Sequence, residues 1–267
     1  MIRAIVTGAG GRMGGRVLAL ATEAEDFQIV GATERPDHPA IGRDAAEVAG
    51  LGSVGVKVTD NLSTIITGGN VVIDFTAPEA SIGHLWAASE AGVAIVVGTT
   101  GLSKEQLDEA RRLATKMPCV ISPNMSVGVN VLFKTLKEVA STLGDDYDVE
   151  IVEAHHHFKK DAPSGTALRM AQVVAEALGW DLEQVGIYGR KGIVGERPKT
   201  QIGVHTVRAG DIVGEHTVVF GGMGERIEIV HRAHSRDNFA RGALRAARFV
   251  VKAPKGLYDM ADVLGLK

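Results

Sequence analysis

The chain has 267 residues, 45% of them hydrophobic, which is enough apolar material for a full core and a length better divided into two modest domains than one. With 29 basic against 32 acidic residues the net charge is −3, so no broad field suits it to nucleic acid or to an anionic membrane. The single cysteine, Cys119, excludes an internal disulfide framework and reads as a small core residue, which fits a reducing compartment.

The N-terminus runs straight into an apolar segment without a cationic leader, and no run has the length of a membrane span, so a soluble, cytoplasmic protein is expected. Residues 2–7, IRAIVT, predict a strand; GAGGRMGG follows, and then Val17, Leu18, Ala21 and Ala24 recur at helical spacing. The alternation continues with strands at FQIVGATE, NVVIDFT, AIVVGTTG and PCVISPN. Between them PEASIGHLWAASEAG and SKEQLDEARRLATKM predict helices, the second spanning 104–116 behind a capping box of Ser103 and Gln106. Strands apolar on both faces imply a parallel sheet covered by helices, so the expected class is α/β with a Rossmann-like doubly wound parallel sheet. After Asn124 the rhythm changes. One long helical pattern, VNVLFKTLKEVASTLG, precedes at least three strands within residues 202–233, predicting a smaller α+β domain with a mixed or antiparallel sheet. The tail DNFARGALRAARFVVKAPKGLYDM returns to an amphipathic helix with Leu244, Ala247, Phe249 and Val251 as its apolar positions.

GAGGRMG follows a strand and opens a helix, where bare backbone amides can approach a pyrophosphate and the helix N-terminus favours its charge. Its spacing reads two ways. Gly8 and Gly10 begin a G-x-G-x-x-G pattern that has Met13 in the third place, while Gly8, Gly11 and Gly14 give G-x-x-G-x-x-G. Glu34, at the end of the second strand, is placed to accept both adenosine ribose hydroxyls and favours NADH; either Arg12 or Arg35 can receive a 2′-phosphate or lie over the adenine ring, and the arginines favour NADPH. Use of both cofactors is therefore expected. The strand ends GTTG (98–101) and SPNMS (122–126) belong to the same carboxyl edge and are the expected nicotinamide-side loops.

Three consecutive histidines suggest zinc, but His155, His156 and His157 follow a strand, where neighbouring side chains point to opposite faces and cannot converge on one ion without a sharp bend. A better account starts from Lys159. In DAPSGTALRMAQVVAEAL, Pro163 and Ser164 begin a helix whose amides at Gly165 and Thr166 form an anion site for a small acidic substrate. His156 and Lys159 add donors to its carboxylates. Either His155 or Lys159 can deliver the proton that must accompany a hydride.

EAHHHFKKDAPSGTA, with VTGAGGRMG, IDFTAPE, GTTG, NMSVGVNV, TVRAGDIVGEHTV and GERIEIVHRA, strongly resembles the dihydrodipicolinate reductase family over essentially the whole chain. The resemblance implies a homotetramer that reduces the dihydrodipicolinate synthase product to tetrahydrodipicolinate with NADH or NADPH, in the diaminopimelate and lysine route. It places the acid–base histidine on His155 and the lysine on Lys159, with substrate contacts at His156 and the Gly165–Thr166 amides. Cofactor contacts fall on Gly8, Ala9, Gly10, Gly11, Arg12, Met13, Glu34, Arg35, Gly98, Thr99, Thr100, Ser122, Pro123, Asn124 and Met125. It also implies a dinucleotide-binding domain of residues 1–126 and 236–267, and a substrate-binding and oligomerisation domain of residues 127–235. His157 and Phe158 read as spacers, and Lys160 has no assigned role. Two rival readings are a different two-domain dehydrogenase acting on an amino-acid-like substrate, and a redox sensor that binds NAD(H) without turnover. The sensor has no need of His155 and Lys159.

Overall fold

A computed structural model describes residues 1–267. In chain order the first stretch forms β1 (Ile2–Thr7), α1 (Arg12–Glu23), β2 (Phe27–Thr33), α2 (Ala45–Val48), β3 (Val58–Thr59), β4 (Val71–Asp74), α3 (Pro78–Ala91), β5 (Ala94–Val97), α4 (Lys104–Leu113) and β6 (Pro118–Ile121). The middle forms α5 (Val127–Leu143), β7 (Asp148–His155), α6 (Gly165–Leu178), α7 (Leu182–Val185), β8 (Gly186–Ile187), β9 (Ile202–Arg208), β10 (Gly214–Gly221) and β11 (Arg226–Ala233). The end forms α8 (Asp237–Val250), β12 (Gly256–Tyr258) and α9 (Met260–Leu264). Contacts divide the chain into two compact units, Met1–Val127 with Arg236–Lys267, and Gly128–Ser235.

In the first unit seven strands run parallel in the order β12-β6-β5-β4-β1-β2-β3. Every residue of β4 and β5 is buried, as a strand covered on both faces requires. One face packs Val17, Leu18 and Ala21 of α1 with Ala243, Leu244 and Ala247 of α8. The other packs Leu85 and Ala88 of α3 with Leu113 of α4, Met117 and Cys119. Burial pushes the Cys119 thiol far up, so it is an inert core group. The register sets Thr7 opposite Thr33 and Asp74, Asp74 opposite Val97, and Val97 opposite Ile121. The residues that follow these strands, 8, 34, 75, 98 and 122, therefore leave the sheet along one carboxyl edge, and strand order reverses there between β1 and β4.

Three local features differ from the sequence expectation. The Ser103–Gln106 capping box forms, but α4 ends at Leu113 because Thr115 and Lys116 bond three residues back in a tightened last turn. The tail is helical only to Val250; Phe249 and Val251 are half-buried, and Ala240, Ala243, Ala246 and Val250 carry the packing face with Leu244 and Ala247. Beyond it, β12 adds a seventh strand beside β6.

The second unit holds a five-stranded mixed sheet, β11-β10-β7-β9-β8, with β10 antiparallel to both β7 and β11, and β9 parallel to β7 and β8. One face buries Val149, Ile151, Ile202, Val204, Val218 and Phe220 against Leu136 of α5 and Met170, Ala171 and Val174 of α6. The opposite face carries Val152, Val207 and Val230, which stay 38%, 42% and 42% exposed.

Candidate active site

The glycine turn uses the second of its two possible spacings. Gly8 adopts a left-handed φ of +71°, and a Cβ on Gly14 would lie 2.0 Å from the Gly8 carbonyl oxygen, so α1 approaches the turn only if position 14 has no side chain. Gly11 donates to the Gly8 carbonyl at 2.9 Å and α1 begins at Arg12. Met13 packs half-buried against the core instead of standing in a glycine's place. A Cβ at Gly10 would strike the His38 ring at 2.2 Å. The Glu34 carboxylate accepts the Gly10 amide at 2.9 Å and the Arg35 amide at 3.0 Å, which holds it beside the turn. Arg12 and Arg35 are exposed. Bare backbone at a helix start, with a carboxylate fixed alongside, fits a dinucleotide.

The loops at 98–100 and 122–125 leave the same edge. A Cβ on Gly98 would lie 2.1 Å from the Phe75 ring, and the Gly98 amide donates to the Asp74 carbonyl at 2.8 Å. Thr99 is buried; its hydroxyl accepts the Thr76 amide at 3.0 Å and the Ser81 hydroxyl at 2.8 Å. Beneath it, Asp74 is fully buried and accepts the Thr7 and Thr76 hydroxyls at 2.8 and 2.7 Å. Burial alone would push that carboxyl up, but His84 at 3.4 Å and the hydroxyls around it hold it below the ordinary range. Thr100 is exposed at the tip of its loop and Pro123 on its own. Ser122 donates its amide to Val97 at 3.1 Å and its hydroxyl to the Asn124 carbonyl at 2.9 Å, while Met125 is buried under α8 at Gly242.

In the second unit the histidine and lysine segment is organised around a residue that sequence reading left without a role. Glu153, fully buried on β7, meets His155 Nδ1 at 2.5 Å and accepts the Ser164 amide at 2.9 Å, the Thr206 hydroxyl at 3.2 Å, and two Arg208 nitrogens at 2.8 Å each. Burial would raise its pKa, but Arg208, His155 and the Ser164 amide bring it to about 2. Burial, joined by the Lys159 and Arg208 charges, pushes His155 below the ordinary histidine value against the opposing pull of Glu153. His216 on β10 meets the His155 ring edge-on at 5.3 Å and lies 3.3 Å from the Ser164 hydroxyl; burial and the neighbouring cations push it down to about 3.

Lys159 faces the same segment and pairs with Asp161 at 2.9 Å. The Ser164 hydroxyl caps α6 by accepting the Ala167 amide at 3.2 Å, and the helical ladder starts with Leu168 on the Ser164 carbonyl. Gly165 and Thr166 thus lead the helix ahead of its own ladder, and a Cβ on Gly165 would meet only open space. His156 Nδ1 is buried without a hydrogen-bond partner. His157 is exposed, gives its amide to Gly210 at 3.1 Å, and stacks edge-on against Phe158; Lys160 is also exposed. No three His, Cys, Asp or Glu side chains come together as a metal-holding group. A signal for Glu153 existed, because two residues along a strand share a face. Arg208 and His216 arrive through strand pairing and left no local signal.

Residues 2–125 match the family model for Dihydrodipicolinate reductase, N-terminus, and residues 128–264 that for Dihydrodipicolinate reductase, C-terminus. Over 267 residues, the full length of each pair, the chain is 60% identical to the 4-hydroxy-tetrahydrodipicolinate reductase of Syntrophus aciditrophicus and 56% identical to that of Syntrophobacter fumaroxidans. Among solved structures, the dipicolinate-bound dihydrodipicolinate reductase from Paenisporosarcina sp. TG-14 superimposes with a TM-score of 0.74 at 28% identity, covering 98% of both chains. An amine dehydrogenase from Mycobacterium smegmatis shares the fold at a TM-score of 0.61 and 14% identity, over 96% of this chain and 94% of that one. With both halves matched in order and relatives this similar end to end, the chain belongs to the dihydrodipicolinate reductase family.

Proposed function

We propose that the chain reduces 4-hydroxy-tetrahydrodipicolinate to tetrahydrodipicolinate in lysine and diaminopimelate biosynthesis, using NADH or NADPH. The observation that carries this is the gathering, within a single segment, of the His155 imidazole, the Lys159 ammonium and the helix start at Gly165 and Thr166. A bound reduced nicotinamide supplies the hydride. The turn at Gly8 to Met13, Glu34 with Arg35, Gly98 to Thr100 and Ser122 to Met125 would hold that cofactor.

The protein's own task is to bind a dianion and to manage one proton. The helix start at Gly165–Thr166, Lys159 and the unpartnered His156 Nδ1 suit the two carboxylates. His155 Nδ1 meets the Glu153 carboxylate, and a ring that donates there leaves Nε2 to carry the proton that moves. Its lowered pKa keeps it neutral near pH 7 in the free protein; an approaching dianion favours the charged, proton-donating form. Lys159 is the second donor within the segment. No helix is long and apolar enough to cross a membrane, and we place the protein in the cytoplasm on the chemistry of its route.

The half-exposed valines on the open face of the mixed sheet support assembly through the second unit, as a homotetramer. Light scattering should then give four times 28.1 kDa. The decisive assay supplies synthase product with NADH or NADPH and follows nicotinamide absorbance. Oxidation of either cofactor is expected; oxidation of neither overturns the assignment.

A further inference from the structure

We infer that Glu153 is a positioning residue for the reaction, its carboxylate fixing His155 as the Nδ1–H tautomer and tying that imidazole to the start of α6 through the Ser164 amide. The inference rests on the reading of His155 as the acid–base group, and adds the element that gives the imidazole one orientation and one proton site.

The geometry leaves Glu153 little freedom. It stands two residues before His155 on β7, so both side chains share the covered face of the mixed sheet. Its Oε1 accepts from the Ser164 amide, Arg208 Nη2 and the Thr206 hydroxyl, and its Oε2 accepts from Arg208 Nη1 and meets His155 Nδ1. Three of these partners, the Ser164 amide and the two Arg208 nitrogens, can only donate, and the Thr206 hydroxyl donates here as well. The Arg208 guanidinium, paired to both oxygens, holds the carboxylate ionised, so it accepts from all four and has no hydrogen to offer the ring. The fifth partner, His155 Nδ1, must therefore carry a hydrogen, and Nε2 is the nitrogen left to exchange a proton.

A purely structural Glu153–Arg208 pair would join β7 to β9 and need nothing more. Here the same carboxylate also holds the acid–base ring and an amide eleven positions along the chain, at the cap of the helix that faces the substrate carboxylates. The charged and titratable groups around His155 are Glu153 on its own strand, Arg208 on β9, His216 on β10 with His231 behind it on β11, and Lys159 with Asp161 in the following loop. Glu153 is the one anion in contact with the ring.

The test uses the full-length enzyme labelled with 15N-histidine. Long-range proton–nitrogen spectra above the His155 titration should report the Nδ1–H tautomer in the wild type; an Nε2–H tautomer would overturn the proposal, with no variant required. In Glu153→Gln the ring should populate Nε2–H, because the amide also offers a donor. Turnover should fall about 100- to 1000-fold while cofactor KM changes less than about twofold. The limb on which activity drops as His155 loses its proton should move to lower pH, since an anion that favoured the charged ring is gone. Glu153→Gln with the wild-type tautomer and an unshifted limb would refute positioning and leave a structural role. Failure of the acid–base reading has a separate signature, wild-type turnover in His155→Ala, because the tautomer is read without turnover.

Discussion

Replacing Glu34 by alanine separates the two cofactors, and the size of the effect can be worked from its present partners. The carboxylate already accepts two backbone amides, Gly10 at 2.9 Å and Arg35 at 3.0 Å. Binding adenosine ribose exchanges those bonds for two hydroxyls. A hydrogen bond to a charged group contributes about 1.5–3 kcal/mol, and an exchange keeps only part of that, so Glu34→Ala should cost NADH about 1–2 kcal/mol, roughly a 5- to 30-fold rise in KM. With NADPH a 2′-phosphate meets the same carboxylate, and removing Glu34 relieves a like-charge repulsion. Freeing the Gly10 amide affects both cofactors alike and cancels in a ratio. The ratio of kcat/KM for NADPH over NADH should therefore rise about tenfold, or ~1.4 kcal/mol, in initial-rate measurements at saturating substrate. An equal loss with both cofactors would refute the ribose contact.

Lys159→Ala and His155→Ala should each lower kcat about 10²- to 10⁴-fold while cofactor affinity, measured by fluorescence titration, stays within about twofold; wild-type turnover in either would refute the site. Gly14→Ala sets a Cβ 2.0 Å from the Gly8 carbonyl, where only backbone can yield, and should destabilise the first unit by about 1–3 kcal/mol, read as a lowered Tm; an unchanged Tm would show that the turn relaxes freely. Stability should also depend on pH through His216, which is 4% exposed and titrates at about 3 in the fold. Its unfolded pKa is about 6.5, so between those values the unfolded chain binds more protons and stability falls as pH falls, by about 2 kcal/mol near pH 5. His216→Gln should flatten that decline, and an identical decline in both proteins would remove His216 as its source.

What the sequence made legible follows the range of the forces involved. Parallel strands such as VVID and AIVV are apolar throughout because both faces are covered, and that signal is local. β3 and β12 are two and three residues long, too short for any period to show. The glycine turn was ambiguous for a different reason. Composition cannot say which glycine meets backbone, and only the approach of Gly14 to Gly8 decides between the two spacings.

The proposed catalytic segment can be picked out in the sequence because it is contiguous: His155, His156, Lys159, Gly165 and Thr166 share one stretch of chain. Its support is not contiguous. The sheet register sets His155 opposite Arg208, and Glu153 opposite both Thr206 and His216, partners more than fifty residues away whose positions depend on how β7, β9 and β10 pair. One physical rule ties this buried carboxylate to a partner elsewhere in the chain. An ionised carboxylate with no solvent exposure must meet a cation or several donors, so Glu153, once assigned to the covered face, requires a guanidinium or ammonium somewhere in the second unit. The rule also bears on why the pair is there. A buried ion pair gains little over a well-packed apolar pair of similar volume, so folding stability alone is a weak reason for Glu153 and Arg208. An apolar pair would leave His155 Nδ1 and the Ser164 amide without the carboxylate they share, and the ring of the proposed acid–base group would lose its single orientation.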